Sequence, residues 1–360
     1  MPLDVHAIRS QFPALRRQAE HPSPAVFLDN PGGTQIAQQS LDRIEQYLIH
    51  SNANHGGAFI TSQQSDAILE EAHAAMADFY NAVRPEEIIF GNNMTTLTFH
   101  ISRSISRLWK PGDTIVVTRL DHDANISPWL LAAQERGVNV RWVDFHVEDG
   151  TLDLDDFAAA LESRPNLVAF GYASNALGTI NSAKRLVQLA HDVGALVYID
   201  AVQYAAHGPI DVQSLGCDFL VSSSYKFFGP HAGILYGRYE LLEDLFAYKV
   251  RPAPYELPGK FETGTQNHEG IAGVLGAVEY LAWLGENFGG DQVSLYSQTF
   301  SGRRLQLKTA MAAIRAYEYE ISRLLLDILE ETPGVTLYGL RDVRRLEERV
   351  PTFSFTLKDK

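Results

Sequence analysis

Two residues at the ends of successive apolar runs have the types and spacing to do chemistry together. Residues 196–199 form a short apolar run that reads as a buried strand. It ends in Asp200, with Gln203 three residues further on. A second run, residues 219–221, opens into Ser222, Ser223, Ser224, Tyr225 and Lys226, then Gly229 and Pro230. In an open α/β sheet ligands gather at the carboxyl ends of the strands, so Asp200 and Lys226 are expected at one edge. A lysine and an acid there fit pyridoxal 5′-phosphate (PLP): the lysine holds the cofactor as a Schiff base, and the acid keeps its pyridine nitrogen protonated. The amine must be partly desolvated to be nucleophilic, which a strand end against the cofactor supplies. Two charged residues on solvated loops have the same spacing, because strand ends are often charged.

The neighbouring residues favour the first reading. D-A-V-Q at 200–203 and S-S-Y-K-F-F-G-P at 223–230 are preceded by D-H-D-A-N at 121–125 and S-N-A-L-G at 174–178. They are followed by F-E-T-G-T-Q-N at 261–267. In this order, over about residues 27–284, they resemble the cysteine desulfurases and related class V aminotransferases of PLP fold type I. The resemblance implies an α/β fold: a mostly parallel central sheet flanked by helices in a large domain (21–285), after an N-terminal segment (1–20). A partial, smaller C-terminal α+β domain (286–360) follows. It also implies roles. Lys226 bonds the cofactor and then acts as base at the substrate Cα. Asp200 holds the ring nitrogen. His122 stacks on the ring and shuttles protons. Asn175 and Gln203 hydrogen-bond the ring oxygen. Thr95, Thr96, Ser223 and Tyr225 hold the phosphate. Thr265 reaches the partner subunit's phosphate in a homodimer. Gly32, Gly33 and His55 line the substrate mouth.

The elements that must position these residues are legible as patterns. A helix is expected over residues 5–12, then a Pro-containing linker. A short strand over 26–29 ends at N-P-G-G-T (30–34), whose glycines allow close backbone approach or a plain turn. S-N-A-N-H-G-G-A-F (51–59) is a polar, Gly-rich loop, and the apolar spacing of 62–80 is helical. G-N-N-M-T-T-L-T (91–98) passes from a strand at 87–90 into a helix whose N-terminus suits a phosphate, or is simply capped by Thr. Strands at 114–118, 138–143 and 167–172 alternate with helices at 154–162 and 183–193, which argues for a parallel sheet. A strand at 233–236 is expected at the sheet's far side. Helices follow at 271–284 and 292–331, the latter single or in two joined pieces. Strands at 335–338 and 352–357 complete the pattern.

Composition narrows the class. The 360 residues suffice for one large domain and a smaller one, and 45% hydrophobic with 21% charged is ordinary for a globular protein. A net charge of −14 disfavours nucleic acid and anionic membranes as partners. The N-terminus lacks the apolar core of a signal peptide, and no apolar run is long enough to span a bilayer, so a cytoplasmic location is expected. The single cysteine, Cys217, excludes an intrachain disulfide and a cysteine-based metal cluster, and no metal site is expected.

Two departures from the resembled family bear on the reaction. Desulfuration needs a mobile thiolate, whereas Cys217 lies two residues before an apolar strand and reads as a small buried hydrophobe. The resembled proteins also run on past a strand like the last one here, and that part carries the arginine for the substrate carboxylate. Arg341, Arg344 and Arg345 read instead as a solvated face. The expected function is a PLP-dependent transferase or lyase acting on an amino acid, with transamination or β-elimination favoured over desulfuration. A PLP-binding protein without turnover, serving as a partner or regulatory subunit, is the second reading. A nucleotide-binding α/β protein is the third, and N-P-G-G-T fits its phosphate fingerprints poorly.

Overall fold

Residues 3–19 and 21–358 are described by the structure, a computed structural model. Seven strands form the main sheet: β1 (Ile88–Gly91), β2 (Thr114–Thr118), β3 (Asn139–Val143), β4 (Leu167–Gly171), β5 (Leu196–Asp200), β6 (Phe219–Ser223) and β7 (Gly233–Gly237). Their order is β1-β7-β6-β5-β4-β2-β3. β2 to β6 pair in parallel, and β1 pairs antiparallel with β7. The strands β4, β5 and β6 read as almost unbroken apolar runs because both faces of a parallel sheet are covered. Thirteen helices accompany them among the described residues. They are α1 (Val5–Arg9), α2 (Pro13–Ala19), α3 (Gln38–His50), α4 (Ile60–Tyr80), α5 (Met94–Ile105), α6 (Ser127–Arg136), α7 (Leu154–Leu161), α8 (Ala183–Asp192), α9 (Val212–Leu215), α10 (Tyr239–Asp244), α11 (His268–Phe288), α12 (Val293–Tyr296) and α13 (Gly302–Glu331). A separate antiparallel pair, β8 (Val335–Tyr338) and β9 (Ser354–Leu357), lies near the C-terminal end. No helix among the described residues is long and apolar enough to cross a membrane.

Several expectations need correction. Residues 26–29 form no strand: Val26 and Leu28 stand 80% and 84% exposed. Prolines at 22, 24 and 31 flank the stretch and withhold ladder donors. The helix expected at 5–12 ends at Arg9, and the expected linker after it holds a second helix that starts on Pro13, a residue suited to a first turn because it has no N–H to leave unpaired. β7 lies between β1 and β6 rather than at the far side. The stretch 292–331 takes the two-piece alternative, α12 and then α13, which begins at Gly302 with a left-handed φ of +56°. The whole of α3 has no counterpart in the pattern reading.

The chain divides into two compact units. One comprises residues 1–97, 208–213 and 222–314. Its core is a helical layer in which α11 crosses α3 closely: a side chain at Gly276 would meet the Gln39 carbonyl oxygen at 2.3 Å, so only glycine fits. Ser40 Oγ donates to the Gly273 carbonyl at 2.7 Å across the same crossing. Phe79 of α4 stacks on Phe227 with ring centroids 5.2 Å apart. Asp78 accepts from Arg303 Nε and Arg304 Nε at 2.7 and 2.8 Å, which ties the start of α13 to α4.

The second unit comprises residues 98–207, 214–221 and 315–360. Here Gly171 of β4 is opposite Asp200 of β5, and Asp200 is opposite Val221 of β6. Trp129 packs edge-on against Tyr198, with centroids 4.9 Å apart, and donates from Nε1 to Asn125 Oδ1 at 3.1 Å. Leu326 and Leu329 of α13 cluster with Leu337 of β8. The segment before β9 folds back on S-N-A-L-G. The Ile180 N–H donates to the Glu348 carbonyl, and the Val350 N–H to the Gly178 carbonyl, each at 2.8 Å. Gly178 (φ +78°) is required there, since a Cβ would come within 2.6 Å of the Thr352 carbonyl oxygen.

Candidate active site

In the first unit the site is built on the turn after β6. Residues 224–226 form a 3-10 turn. The Ser224 N–H donates to the Ala232 carbonyl, and the Phe227 and Gly229 N–H groups donate to the Ser224 carbonyl, all at 2.9 Å. Phe228 is held at φ +73°, a left-handed conformation rare for an aromatic residue and tolerated only where the surroundings fix it. N-P-G-G-T supplies that constraint. The Thr34 N–H donates to the Tyr225 carbonyl at 2.9 Å, and Thr34 Oγ1 accepts the Phe228 N–H at 2.8 Å. Lys226 Nζ donates to the Pro31 carbonyl. Gly33 is demanded by packing, because a Cβ there would lie 3.0 Å from the Tyr225 ring, whereas one at Gly32 would meet nothing within 4 Å. Tyr225 stacks on His231 with centroids 4.8 Å apart, and the Lys226 amine lies 5.0 Å from the Tyr225 ring centroid.

The start of α5 is fastened to the same strand. Ser223 Oγ accepts the Met94 N–H at 3.1 Å, and Tyr80 and Ser222 share a buried hydrogen bond. Asn93 caps the helix, its Oδ1 accepting the Thr96 N–H at 2.9 Å. The exposed Thr96 donates its hydroxyl back to the Asn93 carbonyl at 3.0 Å, so that group serves the cap. Thr95 is half-buried, with its hydroxyl 3.5 Å from the Met94 sulfur. His55 is placed by Asp66, at 3.9 Å, and packs edge-on against His268. Thr265 is exposed in the turn between Gly264 (φ +79°) and the Asn267 cap of α11.

The second unit carries the acid and the imidazole. Asp200 ends β5 only 7% exposed, and its Oδ1 accepts the Val202 N–H at 2.8 Å. Gln203, equally buried, donates from Nε2 to Thr352 Oγ1 at 2.9 Å, so the backbone segment before β9 anchors it. His122 is exposed, and its Nδ1 accepts the Ala124 N–H at 3.1 Å, which leaves Nε2 as the protonated nitrogen of the neutral ring. Asn175 is exposed, on a loop whose turn is held by Ser174 Oγ accepting the Ala176 and Leu177 N–H groups. The cysteine is buried, in keeping with its sequence reading.

Some residues escaped the sequence reading. Glu262, inside F-E-T-G-T-Q-N, accepts the Phe90 N–H at 2.6 Å and bonds His73 Nε2 at 2.8 Å, which ties that loop to β1 and α4. Burial works against charge on His73, but the Glu262 carboxylate outweighs it and holds the imidazole above its ordinary range. Arg341 and Arg344 are exposed as expected, while Arg345, its side chain 37% exposed, also pairs with Asp149 at 3.0 Å and Glu348 at 2.6 Å. Arg349 is buried, donating to the Leu340 and Thr352 carbonyls, and burial pushes it down to about 10. Apart from the Arg345–Glu348 pair, three residues apart, these depend on partners far away in sequence or on burial that only the fold reveals.

Residues 26–306 match the family described as Aminotransferase class-V. A probable cysteine desulfurase of Streptomyces coelicolor is 33% identical, the match covering 99% of this chain and 83% of that protein. An aminotransferase-like protein of Gibberella zeae is 32% identical over 98% of this chain and 82% of its own length. Among solved structures, the apo cysteine desulfurase of Thermococcus onnurineus superposes with a TM-score of 0.82 at 25% identity, covering 100% of this chain and 84% of that one. On the family match over residues 26–306 and these relatives, this chain belongs to the class-V aminotransferases, a family of PLP-dependent enzymes.

Proposed function

We propose that this protein is a PLP-dependent enzyme acting on a small amino acid, by transamination or β-elimination rather than desulfuration. The observation that carries the reading is the Lys226 turn, braced on one side by N-P-G-G-T and on the other by the Ser223 link to the first turn of α5. A helix start with a serine and a threonine beside it fits a phosphate, and a lysine amine a few residues beyond fits an aldehyde, so the residues present suit PLP. When bound, PLP supplies an electron sink for the negative charge left on the substrate α-carbon.

The chain's own residues do the rest. Lys226 Nζ would hold PLP through its amine and, once the substrate's own amine has displaced it, would serve as the base for the Cα proton. Asp200, buried at its strand end, keeps a proton on the ring nitrogen. His122 presents a flat imidazole whose tautomer the Ala124 N–H fixes, which suits stacking and proton transfer at Nε2. Thr95, Ser223 and Tyr225 would hold the phosphate, the Thr96 N–H and hydroxyl both being taken by Asn93, while Asn175 and the second amide hydrogen of Gln203 would address the ring oxygen. Gly32, Gly33 and His55 form the substrate mouth. Desulfuration is disfavoured because the only cysteine in these 360 residues is buried. Exposed Val26, Leu28, Phe59, Ile60 and Tyr255 in the first unit support a homodimer, to which Thr265 contributes a phosphate contact across the interface.

The test is product analysis. The full chain with PLP is given L-alanine and L-cysteine in turn, and keto acid, pyruvate and sulfide are assayed beside Lys226→Ala. Keto acid or pyruvate lost in the variant is expected. Sulfide released with a protein-bound persulfide, or no turnover of any amino acid, would overturn the reading.

A further inference from the structure

One acid of D-H-D-A-N has no part in the reading above, and its surroundings give it one. Asp121 follows β2, and its carboxyl is partly buried between three donors. Thr118 Oγ1 donates to Oδ2, Asn125 Nδ2 donates to Oδ1 at 2.8 Å, and the Gly171 N–H of β4 is the third donor. The first two grip the chain on both sides of His122, so one carboxyl closes the loop that carries the imidazole. The third links that loop to β4 at Gly171, the residue opposite Asp200 in the sheet register. Gly171 is close-packed here, since a Cβ on it would lie 3.1 Å from Asp121 Oδ1.

We propose that Asp121 is the positioning residue of this site, fixing His122 to the end of β4 and holding a proton, so that the charge of the Asp121–Asp200 pair rests on Asp200. The inference rests on the PLP reading for its purpose but not for its geometry. Two carboxyls that interact in a poorly solvated place do not both ionise readily. Asp200 is the negative group acting on Asp121, while Asp123, on the same turn, is bonded to Ser127 Oγ at 2.8 Å. Burial, with a smaller contribution from Asp200, raises Asp121 against its three hydrogen bonds to about 7. The proton has an obvious place. On Oδ2 it donates to Thr118 Oγ1, whose hydroxyl then turns to accept, while Oδ1 keeps its Asn125 donor. An asparagine amide reproduces that pattern atom for atom, with Nδ2 toward Thr118; an alanine cannot.

The test compares Asp121→Asn and Asp121→Ala with the wild-type full chain. Without cofactor, unfolding midpoints are measured from pH 5 to pH 9. A group raised in the fold contributes stability below its unfolded value and loses it as pH rises through the folded one. The midpoint of Asp121→Asn minus that of wild type is therefore expected to grow from pH 5 up to about 7 and to level off above it. PLP affinity is measured by intrinsic fluorescence at pH 6. Asp121→Asn is expected to bind within a few-fold of wild type, and Asp121→Ala on the order of tenfold more weakly or worse. A pH-independent difference between Asp121→Asn and wild type overturns the held proton. Equal losses of affinity in both variants overturn the positioning role. If wild type binds no PLP, the PLP reading fails and the stability arm still decides the proton.

Discussion

An alanine at Gly233 disturbs the start of α5 without touching any residue assigned to the cofactor. Gly233 opens β7, and its register partner is Gly91 of β1. A methyl group at Gly233 would stand 2.3 Å from the Asn93 carbonyl carbon, 2.6 Å from its oxygen and 2.8 Å from its Cα. Carbon atoms rest at about 3.5–4.0 Å, so something must move by about 1 Å. Neither neighbour is free to do so. β7 is held by its ladder, and Asn93 supplies both the side-chain cap and two carbonyl contacts of the first turn of α5. Overpacking of this kind costs about 1–3 kcal/mol, and the upper half applies because the obstacle is backbone. The lower entropy of the unfolded alanine chain offsets about 0.4–1 kcal/mol, leaving a net loss of about 1–2.6 kcal/mol. The assay is urea unfolding of Gly233→Ala beside Gly32→Ala, whose methyl would meet nothing within 4 Å. The first should unfold at lower urea and bind PLP more weakly, because Thr95 rides on the displaced turn; the second should unfold at the wild-type urea concentration or slightly above it. An unshifted midpoint for Gly233→Ala, or equal shifts for the two, would refute the reasoning.

Other consequences can be measured alongside. Glu262→Gln should remove stability that the His73 pair supplies. His73 is raised in the fold, so that stability is full below the ordinary imidazole value of about 6.5 and drains away as pH climbs through the raised one. The unfolding midpoint of wild type minus Glu262→Gln should therefore shrink from pH 6 to pH 9, and a constant gap would count against the pair being charged. Tyr80→Phe leaves Ser222 Oγ without its buried partner and should cost about 1 kcal/mol. The double variant with Ser222→Ala should recover part of that in a thermodynamic cycle, and strict additivity would show that the two hydroxyls do not interact.

The central strands were legible because a parallel sheet buried on both faces leaves a distinct sequence trace: short apolar runs with charged or polar ends. Asp200 and Lys226 were found through that trace, each a short step past such a run. Residues 26–29 carried the same trace and formed no strand, because an apolar run needs a ladder partner and flanking prolines withhold donors. α3 was missed because its polar first turn hides the face it buries. At the site the residue types were visible but their commitments were not. The Thr96 hydroxyl is used by the Asn93 cap, and the Gln203 amide by Thr352, a residue 149 positions away. Gly178 looked like part of a cofactor loop, whereas its positive φ makes room for the segment before β9. Such long-range hydrogen bonds and close backbone crossings have no local period or motif.

The claim that everything else depends on is that the Lys226 amine is the group that bonds PLP. The full chain is incubated with PLP, reduced with borohydride, digested and analysed by peptide mass spectrometry, with Lys226→Ala in parallel. The account predicts a pyridoxyl phosphate adduct on the peptide carrying Lys226 and none on the corresponding peptide of the variant. An adduct spread over exposed lysines at equal yield, or one that persists in Lys226→Ala, would contradict it.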